Sequence, residues 1–277
     1  MKLDEDMLEA LLRLAVEAGM RIEKARSEKI EVFDKEDDTP VTQADFNAHQ
    51  CITKGLAALP VVLPMLSEEG EDPLQAYKEG WPAYWLVDPL DGTKEFIANN
   101  GEYTVNIALI VEGSSTFGVV YAPAKRWLYW GGARYGSFRA VLPEGLNLAD
   151  GFMAGLAAKQ ITVRSPDKPM VVLGSRRHGG AAKESLLAAM RLRWHEVKEE
   201  KLGSSLKLCR VAEGKADIYP RFGPTSEWDI AAGQAVLEGA GGRVWTLAKE
   251  RLLYRREEVI NPDFYALGGR EDDWRWL

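Results

Sequence analysis

A layered α/β protein, an α+β sandwich of alternating helix and sheet layers with two sheets, is the fold class that this sequence predicts. Three observations carry the prediction. Residues 5–27 repeat apolar side chains at helical spacing. Residues 83–131 hold short apolar runs joined by glycine-containing turns, the pattern of antiparallel sheet. Beyond residue 169, strand-like and helix-like segments alternate, so the second sheet is not built from hairpins alone.

Each element follows from its own pattern. Met7, Leu8, Leu11, Leu12, Leu14, Ala15 and Ala18 fall on one face of the first helix. Residues 34–43 (DKEDDTPVTQ) are charged and interrupted by Pro40, and read as a loop. From Ala44, the spacing of Phe46, Cys51, Ile52 and Leu56 predicts a second helix with Asp45 in its first turn. VVLPML (61–66) reads as a short buried strand ending at Ser67-Glu68-Glu69-Gly70, and AYWLVD (83–88) as another, closed by Pro89-Leu90-Asp91-Gly92-Thr93. Strands are expected at 103–111, 116–121 and 127–131, and the weakly periodic segment 142–169 is where two halves of one compact unit would meet. In the second half, strands are expected at 170–175 and 216–220, and helices at 180–192, 204–213 and 228–240.

Composition narrows the function. A net charge of −7 on 277 residues argues against a nucleic-acid groove, which needs a basic stripe. It is compatible with a phosphate substrate if cations sit between substrate and protein. Lys2 is followed by Asp4, Glu5 and Asp6, unlike a secretory leader, and no window is apolar enough to span a membrane. Cys51 and Cys209 lie in helical apolar patterns and read as buried free thiols, and three scattered histidines do not suit a zinc site. The expectation is a cytoplasmic enzyme that uses oxygen ligands and a hard metal. A tryptophan-rich C-terminus (Trp274, Trp276) suggests peripheral contact with the cytoplasmic face of the inner membrane. The neighbouring Glu271, Asp272 and Asp273 weigh against it.

Four acidic groups stand where strands end or helices begin: Asp45, Glu68-Glu69, Asp88 with Asp91, and Asp229. Asp88 and Asp91 flank a Pro-Leu turn that leaves the Leu90 carbonyl facing the same side, a donor set suited to a hard cation. Gly92 lets the backbone approach closely, and Thr93 adds a hydroxyl. Taken singly, these are commonplace: a solvated turn, a charged surface pair, and an N-cap at Asp229. Together they place carboxylates at the mouths of buried strands, where such groups need partners.

WLVDPLDGTKEF (85–96), LSEEGE (66–71) and SEWDIAAGQAVLEGAGG (226–242) resemble the three signature blocks of the inositol monophosphatase superfamily, in order and spacing, and the likeness runs over residues 5–265. Within it, DGTKEF, GEYTVNIALI, GVVYAP, GSSLK and YPRFGPTSEWD are most similar to bacterial 3'(2'),5'-bisphosphate nucleotidases of the CysQ type. The inositol monophosphatases typically carry Thr-Asn where this chain has Lys94-Glu95. The resemblance implies a sugar-phosphatase-like fold and a lithium-sensitive phosphatase binding two or three magnesium ions. Glu68, Asp88, Asp91, Asp229 and the Leu90 carbonyl would be ligands, with Asp88 bridging. Glu68 and Thr93, helped by Asp45, would hold and deprotonate the attacking water. Residues 1–142 would carry most metal ligands, and 143–277 would carry Asp229 and the nucleotide pocket.

Substrate contacts implied by the resemblance are Glu68, Leu90, Asp91, Gly92, Thr93, His178, Gly203, Ser205, Lys207 and Asp229. Gly203, Ser204 and Ser205 precede a helix and would offer N–H groups to an anion, with Lys207 adding charge for a second phosphate; a plain helix start is the alternative. Arg177 stands where related sequences commonly have serine. The expected partner is a small molecule, adenosine 3',5'-bisphosphate, a by-product of sulfate assimilation, cleaved to AMP and phosphate, with 3'-phosphoadenylyl sulfate a further candidate. The alternative is an inositol-1-phosphate or broad sugar phosphatase; the chain itself is expected to be a monomer or homodimer.

Overall fold

The computed structural model describes residues 3–28, 32–34, 40–149, 151–167, 169–175 and 180–277. The first helix, α1 (Glu5–Ser27), starts at an Asp4 side chain that accepts from the Met7 N–H. Strands β1 (Val32–Asp34) and β2 (Pro40–Thr42) pair antiparallel and lead into α2 (Gln43–Ala57). Of the loop expected over 34–43, residues 35–39 lie outside the described residues.

The first large sheet follows. Its strands are β3 (Met65–Ser67), then, after the short α3 (Gln75–Lys78), β4 (Ala83–Asp91). After a single-turn α4 (Thr93–Ile97) come β5 (Thr104–Val111), β6 (Ser114–Ala122), β7 (Trp127–Gly132), β8 (Gly136–Val141) and β9 (Lys159–Ile161). The seven strands lie in sequence order; only β3 and β4 are parallel, and the rest form the expected antiparallel meander. Because β9 pairs with β8, the first sheet extends past residue 142.

The second half supplies β10 (Met170–Gly174), α5 (Ala181–Trp194), β11 (Val197–Lys201), α6 (Leu206–Ala212), β12 (Ile218–Arg221), α7 (Glu227–Gly239), β13 (Arg243–Thr246) and β14 (Phe264–Leu267). Its five strands take the order β11-β10-β12-β14-β13. The first three are parallel, and β14 runs antiparallel to both its neighbours.

Side-chain alternation along the strands sorts the core into layers. Odd-numbered side chains of β4 and β5 (Trp85, Val87, Val105, Ile107, Leu109) pack with Leu11, Leu12, Ala15, Ala48 and Ile52 of α1 and α2. Even-numbered ones (Tyr84, Leu86, Ala108, Ile110) face Leu208, Ile230 and Ala231 of α6 and α7, which meet Val171 and Leu173 of β10 on their other side. The outer face of the second sheet (Met170, Val172) packs on Leu187 and Met190 of α5 and on Trp274. The order is helix, sheet, helix, sheet, helix.

Helix α7 lies in the middle of this stack, against both sheets. At Gly118 of β6, a Cβ would sit 2.3 Å from the Ala232 carbonyl oxygen, so glycine there is what allows α7 to approach the sheet. Four expectations need correction. The strand expected at 61–66 is only Met65–Ser67: Pro64 has no N–H to give a ladder, and Val62, 66% exposed, is in solvent. The short strands β8, β9, β11, β13 and β14 were absent from the expected elements; β11, for example, is the charged run Val197–Lys201 on a sheet edge. Weak periodicity at 142–169 reflects one turn of 3-10 helix (Phe152–Gly155) and a strand, β9. Trp274, finally, is wholly buried against Trp194 and Trp276, so it is not a membrane anchor. No helix of the described residues is long and apolar enough to cross a membrane. Cys51 and Cys209 are both buried free thiols.

Candidate active site

Strand alternation alone would send Asp88 and Asp91, three residues apart, to opposite faces of the sheet. The ladder between β4 and β5 corrects this. Asp88 pairs with Asn106 but Asp91 with Thr104, so one extra residue is accommodated on β4 between them. That bulge at Pro89-Leu90 turns Asp91 back to the side of Asp88 and sends the Leu90 side chain into the core with α1 and α2. Gly92 follows at φ +93°, a left-handed conformation that ends the strand and starts α4 at Thr93.

The side chosen is the one facing α7. One carboxylate oxygen each from Asp88, Asp91 and Asp229 lie within 4.8 Å of one another. Asp229 is the third residue of α7 and closes a capping box: its Oδ2 accepts from the Ser226 N–H at 2.9 Å. The N-cap reading of this region and the ligand reading of Asp229 therefore hold together. The cap fixes one oxygen, and the carboxylate still reaches the cluster. Asp88 is 1% exposed and accepts from the Leu90 N–H at 3.0 Å.

Burial, then the charges of Glu68, Asp91 and Asp229, push the Asp88 carboxyl well above the usual carboxylate range. Burial, followed by Asp91 and Glu68, does the same to Asp229. Asp91 is also raised by burial, restrained by Lys207 and by the Ser205 N–H. Three crowded carboxylates that resist ionising together could hold a cation between them. An all-oxygen donor set is what a hard divalent ion takes. The Leu90 carbonyl, on the bulge itself, accepts at 3.3 Å from Thr93 Oγ1.

Asp45 and Thr93 meet beside this cluster. Thr93 Oγ1 donates to Asp45 Oδ1 at 3.2 Å, and Asp45 Oδ2 accepts from both the N–H and the hydroxyl of Thr42 at 2.7 Å. Like Asp229, Asp45 is the third residue of its helix and part of a capping box, so one oxygen orients the group while the other faces Thr93. Burial raises the Asp45 carboxyl, against the bonds from Thr42. Glu68, in the turn after β3, donates its backbone N–H to Val87 O at 3.1 Å and lines the same cavity.

That cavity is about 340 Å³. It is lined by the acidic residues Glu68, Asp91 and Asp229 with Thr93, and by Gly203–Ser205, Lys207, Tyr219 and Arg221. The segment Gly203–Ser205 differs from its expected role as a row of free donors. Gly203 N–H donates to Glu102 Oε2 at 2.8 Å and Ser205 N–H to Asp91 Oδ2 at 2.5 Å. The Lys207 ammonium donates to Ser204 O at 2.6 Å and Leu202 O at 3.3 Å, and burial lowers it to about 8 against the pull of Asp91. His178, with Arg176 and Arg177, lies outside the described residues. Three residues with no assigned role from sequence also belong to the site. Thr104 and Asn106 of β5 each donate to Asp91 Oδ2 at 3.4 Å, and Arg221 of β12 lines the cavity. The first two were legible as the only polar side chains on one face of the apolar run Thr104–Val111.

Known proteins resemble this chain over most of its length. The model of the inositol monophosphatase family matches residues 3–272. The 3'(2'),5'-bisphosphate nucleotidase CysQ of Salmonella typhimurium is 43% identical over 261 residues, covering 93% of this chain and 98% of the relative. The Escherichia coli K12 protein of that name is 44% identical over the same shares. Among solved structures, CysQ from Bacteroides thetaiotaomicron superposes with a TM-score of 0.81 at 38% identity, covering 95% of this chain and 97% of that one. The Thermotoga maritima IMPase, at 21% identity, shares the fold with a TM-score of 0.73, covering 95% and 92%.

Proposed function

Because this chain belongs to the inositol monophosphatase family, we propose that it is a magnesium-dependent 3'(2'),5'-bisphosphate nucleotidase, cleaving adenosine 3',5'-bisphosphate to AMP and phosphate. One observation carries the reading: a single cavity joins the carboxylates Asp91 and Asp229 to the cations Lys207 and Arg221. A phosphate to be cleaved fits the first pair through metal ions. A second phosphate on the same molecule fits the positive potential of the other pair. Relatives named for that activity, at 43% and 44% identity, support the choice.

Glu68, Asp88, Asp91, Asp229 and the Leu90 carbonyl would hold two or three ions. Every ligand of this set but one comes from residues 1–142, whereas Asp229 and the Gly203–Lys207 wall come from residues 143–277. Magnesium bound there supplies positive charge against the phosphoryl oxygens and favours deprotonation of water. The chain's own part is proton transfer and orientation. A water beside Thr93 gives its proton to the Thr93 hydroxyl, which passes its own to Asp45 Oδ1 along the 3.2 Å contact. The water oxygen forms the new bond to phosphorus, the P–O3' bond breaks, and the departing 3'-oxygen takes a proton from solvent. Burial of Asp45 makes it a stronger base than an exposed aspartate.

The test compares substrates. With magnesium, phosphate release from adenosine 3',5'-bisphosphate should exceed that from inositol 1-phosphate by at least about 100-fold in kcat/KM, the scale set by one well-matched charged contact. Equal or faster turnover of inositol 1-phosphate would overturn the substrate assignment and leave a broad sugar phosphatase. Lithium is expected to inhibit.

A further inference from the structure

Ser205 looks, from its place on the cavity wall, like a residue that touches substrate. Its contacts point elsewhere. Only 2% of its surface is exposed, and its hydroxyl is shared between Asn106 Oδ1 at 2.8 Å and Thr104 Oγ1 at 2.9 Å. Its N–H donates to Asp91 Oδ2 at 2.5 Å, the oxygen that Asn106 Nδ2 and Thr104 Oγ1 approach at 3.4 Å. Asn106 and Thr104 are themselves fully buried on β5. The side-chain polar atoms of this group, and the Ser205 N–H, thus point at another member or at Asp91. Two elements separated by about a hundred residues of sequence converge on one oxygen of one carboxylate.

The loop carrying Ser205 is pinned for the purpose. Ser204 adopts φ +49°, and at Gly203 a Cβ would meet Glu95 Cγ at 2.8 Å and the Glu102 carbonyl oxygen at 2.9 Å. The Gly203 N–H is meanwhile fixed to Glu102 Oε2. A loop this closely seated on β5 and on the segment before it cannot slide without moving the Ser205 N–H off Asp91.

We propose that Ser205, with Asn106 and Thr104, is a positioning group for Asp91: it fixes that carboxylate for metal binding and does not bind substrate. The inference rests on the reading of Asp91 as a magnesium ligand. Outer partners of a ligating carboxylate act on metal affinity, whereas a substrate contact acts on KM. Ser205→Ala removes the hydroxyl anchor but keeps the N–H, and Asn106→Ala removes the other anchor.

The experiment is a calorimetric titration of substrate-free protein with MgCl2, followed by kinetics at saturating magnesium. Each variant should bind magnesium about five-fold more weakly, the equivalent of about 1 kcal/mol for one hydrogen bond. KM for adenosine 3',5'-bisphosphate should stay within two-fold, roughly the scatter of such measurements. The double variant should lose little more than the weaker single one, because both act through the same oxygen. Thr104→Val serves as the third probe if either alanine variant fails to fold. Unchanged magnesium affinity with a raised KM would overturn the inference and return Ser205 to the substrate. Absence of magnesium binding by the wild-type chain would overturn both the inference and the reading beneath it.

Discussion

Thr93 has two acceptors within reach of its hydroxyl, Asp45 Oδ1 at 3.2 Å and the Leu90 carbonyl at 3.3 Å, and only one proton to give. The proton-relay role requires that it go to Asp45. Thr93→Val keeps the shape of the side chain and removes the relay. Its kcat should fall about 100-fold, the usual contribution of a positioned acid–base group, while Thr93→Ser retains most activity. Steady-state kinetics of the two variants check this. Equal losses in both would make the methyl group, and not the hydroxyl, the working part. At this scale most of the site was legible in the sequence. Asp88, Leu90, Asp91, Gly92 and Thr93 all fall within residues 88–93, and a tight loop brings its own members together whatever the rest of the chain does. Less legible were the oxygens of Asp45 and Asp229. Both are third residues of capped helices, so capping and chemistry share one side chain, and at Asp229 the sequence presents these as alternatives.

At the scale of elements, the bulge in β4 and the closeness of α7 determine whether the carboxylates meet. The bulge reverses the facing of Asp91, and no pattern of apolar residues announces a reversal of one position. The seat of α7 depends on Gly118, where a methyl group would lie 2.3 Å from Ala232 O. Gly118→Ala should therefore force α7 outward, costing about 1–3 kcal/mol in stability. It should also reduce kcat, since Asp229 rides on that helix. Thermal unfolding together with kinetics would report both effects, and a variant with wild-type Tm and kcat would refute the packing argument. The strand misread at 61–66 has a related origin. Apolar side chains make a run look buried, but Val61 and Val62 have no neighbour strand to pair with until Pro64 has passed.

For the whole molecule, folding concentrates charge that does not favour folding. Asp88, Asp91 and Asp229 come from two separate stretches of chain into the middle of a five-layer stack, where burial raises all three carboxyls and repulsion within the cluster adds to it at Asp88 and Asp229. The layering itself was legible from period-3.6 and period-2 patterns, because each layer buries one face. The order of strands in the second sheet was not, because β13 and β14 are four residues each and carry little pattern. A carboxyl raised in the folded state contributes stability below its unfolded value, and that contribution is lost as pH rises through the folded one. Without metal the cluster is thus a growing cost toward neutral pH, and binding a divalent cation offsets it. Function and stability are set against each other at one residue above all, Asp88.

Asp88→Asn keeps the shape of the side chain and removes the charge, and it tests the central claim most directly. The measurement is kcat with saturating magnesium beside Tm in EDTA across pH 5 to 8. The account predicts a loss of activity of at least about 1,000-fold, the scale of removing a principal electrostatic group from an active site. It also predicts a metal-free Tm above that of the wild type, with the gap widening as pH rises. A variant that retains phosphatase activity within about ten-fold of wild type would contradict the account, because Asp88 could not then stand at the centre of the metal site.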